Sequence, residues 1–242
     1  MKYREKIDRF YEKIPIGIWG LIGIGGFLFF GLLICQIGAT DLLGCDYKWY
    51  NHAVSELGMV ISGNWSWLLF NMFLIISGIL SFFFLLGFSL YFEGKYSAPI
   101  AKIGIILGFF WALTLMLIGL NPADTRRIPH YYISLTFFLL SIITPAIFSI
   151  AILLQDKSEA RQKLPRWSAI FGFIVTIIIL IFLTQDPSTG ASILYLIPGV
   201  CREKIMPGVF WEWISFYSLG LWGILFSILT LKKNTRKILN FE

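Results

Sequence analysis

The chain has two histidines, His52 and His130, and each sits among other groups able to do chemistry. The first lies in Asn51-His52-Ala53-Val54-Ser55-Glu56-Leu57-Gly58. A helix over 50–57 would place His52, Ser55 and Glu56 on one face at i, i+3 and i+4. Gly58 would then supply its stop. A histidine, a hydroxyl and a carboxylate on one face could form part of a nucleophile–base set. They could equally supply two ligands to a divalent metal such as zinc or calcium. His130 follows Pro129, a residue suited to the first turn of a helix, where the positive end of the helix dipole favours a neutral imidazole. Such an imidazole can act as general base or metal ligand.

Around these two positions the sequence offers a supporting set. Asp124 precedes His130 by six residues, and either it or Glu56 could orient His130 or serve as a second ligand. His52, His130 and Glu56 make a candidate metal set. Arg127 and Arg202 carry guanidinium forks suited to a phosphate or carboxylate, with Asn71 and Glu203 as further substrate contacts. The bland readings are a loop histidine, a capping serine, arginines that snorkel toward headgroups and one solvated Arg202–Glu203 pair. Cys45 and Cys201 fall in two loops on the same side and could be bridged in an oxidising compartment, or be two unrelated thiols. Cys35 lies in an apolar run, where a buried inert thiol is expected.

The elements that must position these residues are membrane helices. The sequence is 57% hydrophobic and 14% charged, with a mean hydropathy of +0.76, whereas a soluble domain carries roughly 25% charged residues. Its apolar residues come in runs long enough to span a bilayer. The pattern predicts an all-α, single-domain chain over 1–242, with six transmembrane helices in one bundle at about 16–38, 67–92, 99–120, 130–154, 167–185 and 210–231. Before them, Ile7, Phe10, Tyr11 and Ile14 share a helical face, as in a short interfacial helix over 1–15. Gly17, Gly20, Gly23 and Gly26 recur every three positions, a pattern that lets a neighbouring helix approach closely. Pro145 removes a backbone donor from the fourth span and predicts a kink.

Fifteen of the 20 Lys and Arg residues fall in the amino-terminal segment, the 93–102 turn, the 155–166 loop and the carboxy-terminal tail. Five lie in the opposite loops, and the bias predicts both termini in the cytoplasm. Both histidines then sit on the non-cytoplasmic side of the cell membrane. The net charge of +6 is read as this anchoring, and nucleic acid is not expected as a partner. The spans carry no mid-membrane carboxylate of the kind that ion-coupled pumps use. An HExxH zinc helix and a glycine-flanked serine elbow are also missing from the sequence.

In their order and spacing, these residues resemble a known family. Ser55-Glu56-Leu57-Gly58, Asn71 just inside the second span, Gly119 and Pro122 followed by His130, and Arg202-Glu203 before Trp211 are similar to a prokaryotic six-helix membrane family. That family is catalogued only as a domain of unknown function, number nine-nine-eight, and is thought to be distantly similar to FRAG and DRAM type membrane proteins. Some of those are implicated in remodelling glycolipid anchors or in lipid organisation. Carried over residue by residue, the resemblance singles out Ser55, Glu56, Asn71, His130, Arg202 and Glu203.

Three expectations follow for function. The first is a lipid-modifying hydrolase or transferase working at the outer leaflet, with membrane lipid as its partner. The second is a non-catalytic lipid-binding or scaffold protein in which the same residues pair with one another. The third is a small-solute permease, which would need a polar path through the mid-plane.

Overall fold

The computed structural model describes residues 10–11, 13–37, 39, 47–60, 65–92, 95–155, 164–185, 205 and 207–239, with side chains up to Leu231. Cys45, Cys201, Arg202 and Glu203 lie outside the described residues. In lipid a backbone must satisfy its own polar groups, so long apolar runs fold as helices. Six helices here are long and apolar enough to cross a membrane. They are α1 (Ile16–Gln36), α2 (Ser66–Phe88, prolonged by a 3-10 turn to Tyr91), α3 (Ser97–Leu120), α4 (Arg127–Leu153), α5 (Arg166–Thr184) and α6 (Pro207–Leu239). Among the described residues there is no β-strand. Within the apolar spans, which for α6 end at Leu231, the charged residues are Lys102, Arg127, Arg166 and Glu212, all near span ends.

Each helix packs against its neighbours in sequence, and α6 packs back onto α1, so the bundle closes as a ring. Side chains from α2, α4 and α6 fill its interior. Phe88 of α2 lies edge-on to Phe148 of α4 and to Phe226 of α6, at 5.1 and 5.4 Å between ring centroids. Such edge-to-face aromatic pairs add to the stability that burial alone provides. The most apolar part of α6 is 56% buried and that of α5 only 28%. The ring therefore has a central last helix and a peripheral fifth.

α1 is irregular. Its middle, Leu21–Phe30, is a π-helix flanked by α-helical turns. The glycine repeat, expected to pack one face on one neighbour, is divided between two. A methyl at Gly17 would lie 2.2 Å from the backbone oxygen of Ser227 in α6, and one at Gly23 would lie 2.6 Å from Leu80 in α2. Gly26 meets nothing closer than 3.7 Å. The wider π winding changes the angle between successive glycines and so breaks the single stripe.

α4 continues through Pro145 to Leu153. A small cavity beside that proline is lined by Ile24, Phe84, Trp111, Thr144, Pro145 and Trp222. Of the amino-terminal segment, Tyr11 is buried and its hydroxyl donates to the backbone oxygen of Phe83. Burial pushes that phenol up to about 12. Phe10 and Ile14 stay exposed, as suits an apolar face turned to lipid. Cys35 is buried and free.

Gly17→Ala is expected to destabilise the bundle by about 1–3 kcal/mol, the usual cost of overpacking. Gly26→Ala should leave stability unchanged, and thermal unfolding in detergent would separate the two.

Candidate functional site at the histidine pole

The pole where α2, α4 and α6 begin carries both histidines, and they serve different local structures. His52 belongs to a loop locked onto α6. The helix expected over 50–57 is a 3-10 helix restricted to Val54–Gly58, because His52 precedes it in a turn closed by Asn51 and His52 amides on the Lys48 carbonyl. His52 is buried, whereas Ser55 and Glu56 are half-buried. Its Nδ1 lies 3.1 Å from the Lys48 amide nitrogen, 3.2 Å from the Lys48 carbonyl and 2.5 Å from Asn51 Oδ1. That nitrogen is committed within the loop whichever tautomer holds.

The same loop is tied down by four further hydrogen bonds. The Trp213 indole N–H donates to the His52 carbonyl at 2.8 Å. Tyr47 donates to the Ala53 carbonyl at 2.5 Å. Glu212 accepts the Val54 amide at 3.3 Å and Glu56 accepts the Ala53 amide at 3.2 Å. Glu56 thus acts as the third-residue carboxylate of an N-terminal cap. Burial, with the Glu56 and Glu212 carboxylates nearby, holds the Tyr47 phenol well above its usual range, so it remains a donor. Below it, Trp213 stacks on Tyr217, whose hydroxyl accepts from Gln36 of α1 at 2.6 Å.

Asn71, expected among the substrate contacts, ties α2 to this loop: its amide donates to the Gly58 carbonyl at 3.0 Å and it is buried. A methyl at Gly58 would meet Phe70 at 2.6 Å and Asn71 Oδ1 at 2.8 Å, so the stop glycine is required by close approach.

His130 stands in a more open setting. The α3–α4 turn folds back through Arg126 N–H to the Pro122 carbonyl, and α4 then starts at Arg127 with Pro129 in its first turn. His130 is half-buried, and its Nδ1 lies 2.7 Å from the Asn121 carbonyl. A carbonyl only accepts, so Nδ1 carries the proton and Nε2 of the neutral ring offers a lone pair. Among the described residues Nε2 has no hydrogen-bond partner. Asp124, which caps the Thr125 amide at 3.0 Å, is close enough to act on the imidazole electrostatically. Arg127 is exposed.

The expected metal set is corrected. His52, His130 and Glu56 do not come together, and no three His, Cys, Asp or Glu side chains among the described residues converge on a metal position. The loop geometry explains this: His52 turns inward and Glu56 caps its own helix. Tyr47, Asn121 and Trp213 were missed as polar partners. The Asn121 contribution is a backbone carbonyl, which no side-chain pattern signals.

The fold defines a six-helix membrane protein with a polar pole built around two histidines. Residues 23–229 match the family described as a protein of unknown function, DUF998, and the chain belongs to that family. No curated protein and no solved structure matches it.

Asn71→Asp keeps the side-chain shape but removes the donor to Gly58, which leaves a buried acceptor unmet at about 1–3 kcal/mol. Hydrogen exchange in residues 54–60 should accelerate while that of α3 and α4 stays unchanged.

Proposed function

We propose that this is a multi-pass protein of the cell membrane, with both termini in the cytoplasm, that modifies a membrane lipid at its non-cytoplasmic histidine pole. The reaction is hydrolysis or transfer of a headgroup or acyl group, with His130 as general base. The observation that carries this reading is the His130 imidazole, fixed through Nδ1 by the Asn121 carbonyl with Nε2 unengaged among the described residues. Nε2 takes the proton of a water or acceptor hydroxyl as that oxygen attacks the ester. It then returns the proton to the departing oxygen. Asp124 stabilises the imidazolium formed in between. Arg202 and Glu203 are proposed as contacts of the substrate.

A second reading, a non-catalytic lipid-binding scaffold, is favoured by the other half of the pole, where Tyr47, Trp213 and Glu212 lock the 47–58 loop in place. Permeation has less support, because the charged residues of the spans sit near their ends.

The test is lipid turnover by purified protein in nanodiscs of mixed polar lipids, followed by mass spectrometry. His130→Gln should slow turnover at least 100-fold, the lower end for loss of a general base, with unchanged thermal stability. Turnover that persists in His130→Gln removes the base assignment. Lipid retained but never altered by the wild type would favour the scaffold.

A further inference from the structure

The first turns of α4 carry a surface that the base itself does not use. Arg126 and Arg127 are both exposed. Among the described residues neither guanidinium has an ion-pair partner, and the one polar contact of the Arg126 guanidinium is a long 3.5 Å approach from Nη1 to Asn121 Oδ1. Asp124, the nearest carboxylate in sequence, accepts the Thr125 amide. Directly after the arginines, Ile128, Tyr131, Tyr132, Leu135 and Leu139 are exposed by 71, 56, 63, 37 and 45%. From Ile128 these fall at i, i+3, i+4, i+7 and i+11, a single stripe down one side of the helix. Arg127 sits one turn above Tyr131, at the head of that stripe.

The order along the stripe is bare guanidinium, then phenol, then alkyl. That is the polarity sequence of a phospholipid read from phosphate through glycerol to acyl chain. Guanidinium forks bind phosphate oxygens in pairs. Tyrosines favour the headgroup level of a bilayer. We propose that the start of α4 binds one anionic phospholipid, its phosphate between Arg126 and Arg127 and its glycerol and upper acyl chains along Ile128, Tyr131, Tyr132 and Leu135. The charge favours a lipid with net negative charge over a zwitterionic one, whose choline would be repelled by the same pair of cations. This names the substrate class of the His130 site and rests on that reading, since His130 lies one turn below Arg127 on the same helix.

The experiment uses the full chain in nanodiscs and two photo-crosslinkable probes that differ only in headgroup, phosphatidylglycerol and phosphatidylcholine, with the labelled peptides mapped by mass spectrometry. Labelling of residues 128–135 should favour phosphatidylglycerol at least tenfold. Arg126→Gln/Arg127→Gln should abolish that preference, whereas Lys102→Gln at the opposite pole and His130→Gln should both keep it. Equal labelling by the two probes, or a preference that survives the double arginine variant, overturns the proposal and leaves two arginines merely resting among headgroups. Displacement of the probe by soluble glycerol phosphate as readily as by lipid would also overturn it, because the stripe would then contribute nothing. The His130→Gln variant separates the two readings: turnover lost with the preference intact retains both, and the preference lost with turnover intact removes only this one.

Discussion

The close approach of α1 to α6 is the contact on which the rest of the bundle depends. Among the described residues, five of the six interfaces around the ring join consecutive helices, which their short connections would bring together anyway in three of the five cases. The sixth has to be made by surfaces alone. In a bilayer there is little hydrophobic drive between helices, so close packing must supply the attraction. Gly17 lets the α6 backbone at Ser227 approach to a distance no side chain would tolerate, and Gly223 does the same for Ile24 from the opposite side. With α6 held there, its own aromatics meet those of α2 and α4, and its first turn is placed under the 47–58 loop.

That placement explains why the polar residues of the histidine pole divide into two kinds. Loop 47–58 must leave water partly and therefore needs its backbone groups satisfied. Trp213 and Glu212 on α6, Asn71 on α2 and the loop's own Tyr47 do this between them. Side chains committed in that way are poor candidates for chemistry. His130 has the opposite arrangement, with one ring nitrogen anchored to a backbone carbonyl and the other left to its surroundings.

The spans were legible because length and apolarity suffice to define them, and the structural helices begin and end within three residues of the expected limits over the first five spans and at the start of the sixth. The π winding of α1 was not legible. Its glycines at intervals of three read as one stripe on an α-helix, and only the helix geometry shows that Gly17 and Gly23 serve different neighbours. At the pole, His130 and Asp124 were found together because the turn before α4 is short and leaves them little choice. The grouping of His52 with Ser55 and Glu56 failed because it assumed an α-helical period over residues that form a turn followed by a 3-10 helix. Tyr47 was not legible, because a lone tyrosine in a loop has no spacing to read and its ring partner Trp213 is more than 160 residues away.

The circular order of the helices bears on how the protein is made. Each helix leaving the ribosome finds the preceding one already in the bilayer, so α1 to α5 can assemble as an open arc by adding one neighbour at a time. Only α6 has two helices to meet, and the arc stays open until it arrives. Until then the Gly17 side of α1 faces lipid, and the 47–58 loop lacks Trp213 and Glu212. The locked pole is therefore a late product of synthesis, completed when the last span is inserted.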